Sequence, residues 1–153
     1  WGSGAGGALG YNSTSNIGDG VGPSIVTAGD VPIGGIAVYV SAGSSATCAL
    51  LINGQLRCWG SGTGGTLGYN STSNIGDGTG PAIVDAGNVP VGVRVANVAT
   101  AAGSTCAVLD AYIPRLRCWG SGGNGALGYN STANVGDGSG LSIISAGDVP
   151  TGR

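Results

Sequence analysis

The sequence predicts an all-β fold of tandem propeller-like blades, each of three to four short antiparallel strands, forming an open array or part of a ring. Three observations predict it. First, one block is written three times. Residues 1–35, 59–93 and 119–153 share the pattern W-G-S-G-x-x-G-x-L-G-Y-N-S-T-x-N-[IV]-G-D-G, with starts 58 and then 60 residues apart. Self-similarity at a fixed period marks a repeat architecture. Second, the alphabet has no Lys, Glu, His, Phe or Met while Gly supplies 34 of 153 residues, which removes most good helix formers. Third, the runs between the glycines are rich in Val, Ile and Thr, residues that suit a pleated surface. So much Gly and Pro would ordinarily warn of disorder, but here the glycines recur in register between strong apolar runs.

The central unit shows the order of elements. Residues 36–41 (I-A-V-Y-V-S) read as a first strand. Residues 47–51 and 55–59 then flank Ile52-Asn53-Gly54, a hairpin signal. A long Gly-rich loop covers residues 60–81, and residues 82–85 (A-I-V-D) read as a fourth short strand. The next unit repeats this order, with strands at 94–100, around Cys106 and Cys118, and at 141–145. The chain therefore divides into a partial repeat (1–35, the Gly-rich loop half) and two full repeats (36–93 and 94–153). A blade of this kind needs neighbours to bury its apolar faces. Closed propellers use about four blades or more, so the expectation is a window onto a longer array or copies joined end to end. The chain opens on Trp1 rather than Met and reads as a mature segment or an excerpt.

The four cysteines fall in the two hairpins. If Ile52-Asn53-Gly54 is a three-residue loop with Gly54 left-handed, Leu51 pairs with Gln55 and Cys48 lies opposite Cys58. In the second hairpin, a five-residue loop from Asp110 to Pro114 pairs Leu109 with Arg115 and puts Cys106 opposite Cys118. The extra two residues fall inside the loop, so both hairpins keep one Cys-to-Cys alignment. That alignment is what a cross-strand disulfide requires, and disulfides Cys48–Cys58 and Cys106–Cys118 imply an oxidising compartment. Zinc knuckles use closer spacings and add His, and this chain has none. No metal or other cofactor is expected.

Residues 42–68, A-G-S-S-A-T-C-A-L-L-I-N-G-Q-L-R-C-W-G-S-G-T-G-G-T-L-G, resemble the regulator of chromosome condensation repeat. That repeat pairs an A-G-x-x-H-T-x-A-L strand with a G-x-[LV]-x-x-W-G-x-N-x-x-G-Q-L-G strand and loop. Gly76-Asp77-Gly78 and the Pro that follows resemble its usual continuation, and the resemblance extends over essentially the whole chain, in every repeat. It implies four-stranded blades, seven to a ring in the nuclear protein of that family, together with nucleotide exchange on a small GTPase and chromatin binding. Two departures matter. The family's His before Thr is Ala46 in one unit and Ser104 in the next, and the Cys pair with the N-S-T insert is closer to secreted or microbial variants. Nor does the chain carry the clustered Arg or Lys of a nucleic-acid surface: five Arg against seven Asp leave a net charge of −2.

Only twelve residues are charged, against roughly a quarter of an ordinary soluble surface. Attached sugar would keep such a surface wet; so would Ser, Thr, Asn and exposed backbone. Asn12, Asn70 and Asn130 each open an N-S-T acceptor for an N-linked glycan and are the foremost candidate sites. Asp19, Asp77 and Asp137 in G-D-G read as turn residues, since one Asp per repeat falls short of the six to eight oxygens of a calcium site. Trp1, Trp59 and Trp119 read as blade core. Tyr112 and Pro114 stand in a loop unlike the other hairpin's. With no His, Glu or Lys, no nucleophile–base pair is available, and no enzyme is expected. No apolar run is long enough to span a membrane. The sequence thus points to a glycosylated structural repeat protein outside the cell or at its surface. Its expected partners are adjacent repeats or further copies of itself, plus covalent glycans, without nucleic acid. A secreted propeller that binds a protein or glycan is the alternative, and a nucleotide-exchange factor the third reading.

Overall fold

The computed structural model describes residues 1–152; Arg153, which ends the third block, lies outside them. Six strands form two three-stranded antiparallel sheets. The first holds β1 (Ala37–Ala42), β2 (Ala46–Leu51) and β3 (Leu56–Gly60), and the second β4 (Val95–Thr100), β5 (Ser104–Leu109) and β6 (Leu116–Gly120), each in sequence order. Between the sheets, and at either end of the chain, lie Gly-rich loops, each opening on a 3-10 turn and closing on one helical turn. Those turns are α1 (Ile25–Ala28), α2 (Ile83–Ala86) and α3 (Ile143–Ala146).

Loop length sets both hairpin registers. Gly54 takes φ 79°, a conformation open to Gly at no steric cost, and its N–H donates to the Leu51 carbonyl at 2.8 Å. The Leu51 N–H donates to Gln55 O at 2.8 Å, and Leu109 N–H to Arg115 O at the same distance. Cys48 therefore faces Cys58, and Cys106 faces Cys118. Both pairs are joined as disulfides, with Cα atoms 4.1 Å apart in each. A bulge between Ala37 and Tyr39, matched between Val95 and Asn97, bends the first strand of each sheet.

The fourth strand expected at residues 82–85 and 141–145 is not formed: each blade has three strands, and these segments carry α2 and α3. The apolar β-branched run favours a strand locally, but its ends favour a turn of helix. Ser142 caps α3 by accepting from Ser145 N–H, and Ser24 caps α1 in the same way. Gly87 and Gly147, at φ 73° and 75°, end α2 and α3. One turn is enough to aim Ile83 and Ile143 into the core, where they are buried.

The core runs through both sheets. Trp59, Leu56, Leu67 and Ile83 belong to one unit, and Trp119, Leu109, Leu127 and Ile143 to the next. In β2 five of six residues are buried, because one face meets its own loop and the other meets the following sheet. In β5 burial alternates, because one of its faces is open. Leu50 is thus 6% exposed while Val108, at the matching position, is 36% exposed. Among the described residues, no helix is long and apolar enough to cross a membrane.

Candidate functional site

The N-S-T loop is a closed clip. Gly60 and Ile75 exchange backbone hydrogen bonds at 2.9 and 3.0 Å, joining the end of β3 to the far side of the loop. Inside the clip, Asn74 Oδ1 accepts from Gly62 N–H at 3.1 Å while its Nδ2 donates to Asp77 Oδ2 at 3.0 Å. Asp77 Oδ1 accepts from the Thr79 and Gly80 N–H groups at 2.9 and 2.8 Å. Those backbone donors hold the Asp77 carboxyl well below the usual carboxylate range. Asn16 with Asp19 and Asn134 with Asp137 repeat the arrangement. Gly62 must lack a side chain, because a Cβ there would meet the Ser73 carbonyl at 2.1 Å. The three aspartates therefore serve as turn acceptors. Among the described residues no group of three His, Cys, Asp or Glu is placed to hold a metal ion.

At the crest of each clip stands the Asn of N-S-T. Asn12, Asn70 and Asn130 take φ of 54°, 56° and 54°, the left-handed region that Asn enters more readily than most residues. All three are exposed. The following Ser folds back on the chain: Ser13 Oγ accepts from Ser15 N–H, Ser71 Oγ from Ser73 N–H and Ser131 Oγ from Ala133 N–H, each at 3.1 Å. Thr14, Thr72 and Thr132 are exposed beside them.

The preceding tyrosine anchors the clip to its sheet. Tyr69 Oη accepts from Cys58 N–H at 3.2 Å and donates to Gly87 O at 3.1 Å; Tyr129 does the same between Cys118 and Gly147. Burial pushes the Tyr69 hydroxyl up to about 12 and the Tyr129 hydroxyl in the same direction. Tyr11 Oη reaches only Gly29 O, at 2.7 Å.

The first two clips also receive the next repeat. The Ala8 carbonyl accepts from Trp59 Nε1 at 3.0 Å and Thr47 Oγ1 at 2.9 Å. One repeat on, the Thr66 carbonyl accepts from Trp119 Nε1 and Thr105 Oγ1, both at 3.0 Å. Ser13 N–H donates to Gly76 O and Ser71 N–H to Gly136 O, each at 3.1 Å. Arg57 Nη1 reaches back to Ile33 O at 2.6 Å, and Arg117 Nη1 to Val91 O at 2.7 Å. Gly10 and Gly68 leave room for the indoles: a Cβ on them would lie 2.8 and 2.6 Å from Trp59 and Trp119 Nε1.

Trp59 and Trp119 are thus buried donors at the joints between repeats, whereas Trp1 is 81% exposed. The joint brings together the Trp, the loop Asp and the N-S-T segment that the sequence singles out. The Asn of N-x-G-D, the Tyr hydroxyl and the indole hydrogen bond went unnoticed in the sequence, although Asn16, Asn74 and Asn134 recur at one place in all three blocks. Tyr112 is fully exposed at the tip of the second hairpin, apart from the clips.

Residues 37–66, which span the first sheet and the start of its clip, match the family model described as "Regulator of chromosome condensation (RCC1) repeat". Among solved structures, the chain is similar to yeast RCC1 (Prp20) bound to Kap60, at 20% identity over 56% of this chain and 19% of that one, with a TM-score of 0.42. It is similar to Prp20p from Saccharomyces cerevisiae, whose structure was described with its binding properties to Gsp1p and histones, at 18% identity over 79% of this chain and 27% of that one, TM-score 0.49. It is also similar to human WBSCR16, at 19% identity over 73% and 27%, TM-score 0.48. The chain thus spans about a quarter or less of the length of these proteins. No curated protein matches it in sequence.

Proposed function

We propose that this chain, which carries an RCC1-type repeat at residues 37–66, belongs to an extracellular or cell-surface glycoprotein in which tandem repeats build a filament, sheath or wall. The observation that carries the reading is the identity of the two joints. In both, Trp and Thr of one repeat converge on a single carbonyl of the repeat before it. A head-to-tail contact that repeats without variation propagates along an array, and builds a filament where its rotation does not close into a ring. The intra-hairpin disulfides belong to an oxidising compartment, and exposed Asn12, Asn70 and Asn130 give each repeat one place for sugar on a surface poor in charge.

One observation favours a second reading, a secreted closed propeller that binds a protein or glycan. The loop from Asp110 to Pro114 differs from its counterpart in the first hairpin and presents Tyr112 and Ile113 to solvent. Peptide N-glycosidase treatment of the native protein, followed by mass measurement, tests the glycoprotein reading. A mass loss with Asn converted to Asp at residues 12, 70 and 130 supports it; an unchanged mass removes it.

A further inference from the structure

The three N-S-T segments are identical in sequence and in backbone turn, yet their surroundings differ. Asn12 is followed by Ser13, whose N–H is bound to Gly76 O of the next repeat. The Asn12 carbonyl is pressed so close to Gly78 that a Cβ there would meet it at 2.8 Å. Asn70 is held in the same way: Ser71 N–H is bound to Gly136 O, and a Cβ on Gly138 would meet the Asn70 carbonyl at 2.8 Å. Around Asn130 no such partner is present among the described residues. Ser131 is exposed where Ser13 and Ser71 are half-buried, and the bonds that shape the segment, Ser131 Oγ on Ala133 N–H among them, come from its own clip.

Transfer of an N-linked glycan needs more than an exposed amide. The Asn Nδ2 forms a bond to C1 of a sugar carried on a polyprenyl pyrophosphate. The C1–O bond breaks, the lipid pyrophosphate leaves with its electron pair, and Nδ2 gives up one proton. To bring this about an enzyme must hold the tripeptide as a separate segment and reach the hydroxyl of the Thr two residues on. A backbone bound into a joint cannot be lifted out without breaking the joint.

We infer that docking of each repeat closes the acceptor of the repeat before it, so that Asn12 and Asn70 take a glycan only while the following repeat is undocked. In the 153-residue chain no repeat among the described residues docks on the third clip, so there Asn130 takes one after folding. This rests on the reading of the three asparagines as glycan acceptors. The Asn side chains stay exposed after docking, so a sugar added early remains outside the joint, and glycosylation is ordered with the assembly of the array.

The test uses the unglycosylated 153-residue chain, an oligosaccharyl transferase and a polyprenyl-pyrophosphate-linked chitobiose donor, with occupancy mapped by mass spectrometry. Reduced and unfolded chain is expected to be labelled at Asn12, Asn70 and Asn130, and folded chain at Asn130 with at least tenfold less at the other two. Trp119→Ala, which loosens the second joint, is expected to raise labelling at Asn70 and leave Asn12 closed; unchanged labelling at Asn70 in that variant, with Asn12 also closed, counts against joint closure. Equal labelling of the folded chain at all three, or none at Asn130, overturns the inference. No labelling of the unfolded chain instead removes the glycan-acceptor reading beneath it.

Discussion

The hydroxyl of Tyr69 takes the place of a strand on the outer edge of β3, accepting the Cys58 N–H at 3.2 Å. An open edge would leave a row of unpaired backbone groups. Here Tyr69 satisfies one of them, and Val89 N–H, donating to Leu56 O at 2.8 Å, satisfies another. Tyr69, and Tyr129 likewise on Cys118 N–H, therefore tie the N-S-T clip to the disulfide hairpin.

Tyr69→Phe leaves the buried Cys58 N–H and the half-buried Gly87 O without this partner. Unfolding in urea should show a loss of about 1–3 kcal/mol, the usual cost of an orphaned buried polar group. Tyr11→Phe, whose hydroxyl is exposed, should stay within about 0.5 kcal/mol of the parent chain.

Gly68→Ala puts a methyl group 2.6 Å from Trp119 Nε1 at a residue whose φ is +82°. The joint must open, so Trp fluorescence should shift to the red and stability should fall by more than the roughly 1 kcal/mol that a left-handed Ala costs. Gly128→Ala has a similar φ of +78° but meets only a Val149 methyl. It should show the backbone cost without the fluorescence change.

The disulfides should reduce in order. Cys48 and Cys58 are fully buried under the following sheet, whereas Cys106 is partly exposed on the open face of β5. Graded dithiothreitol with alkylation mapping should open Cys106–Cys118 first and Cys48–Cys58 only as the chain unfolds. Each bridge closes a short loop and should contribute about 3 kcal/mol.

Stability should fall at both ends of the pH scale. The folded-state Asp77 carboxyl is depressed, as are those of Asp19 and Asp137, so the folded state binds fewer protons than the unfolded one in acid. Their contribution is present above the ordinary carboxylate value of about 4 and is lost as pH falls below it. Tyr69 is raised to about 12, so its contribution is complete below about 10 and is lost as pH rises toward 12. Thermal melting across pH should show both flanks. Asp77→Asn, which keeps an acceptor for the Thr79 and Gly80 N–H groups, should flatten the acid one.

Much of the hairpin was legible in the sequence, because Gly54 and the loop lengths fix register locally and the cysteines report the same alignment twice. The fourth strand was misread for a reason visible at Ile83. Ile83 and Val84 are β-branched, but Gly87 ends a helical turn, and the strand edge they would have joined is covered by Tyr69 and Val89. The joint could not be read from one repeat at all. Trp59 bonds a carbonyl 51 residues away, so the reason for its indole lies in the preceding block. That Asn12, Asn70 and Asn130 share one turn was foreshadowed by their common N-S-T. That the Ser after two of them is bound to the next repeat was not, because the accepting carbonyls belong to Gly76 and Gly136.

Electron cryo-microscopy of the intact native assembly measures the central claim most directly. The account predicts a filament or sheet of three-stranded blades joined head to tail, with glycan density at one clip per blade. Isolated closed rings, or blades with bare clips, would contradict it.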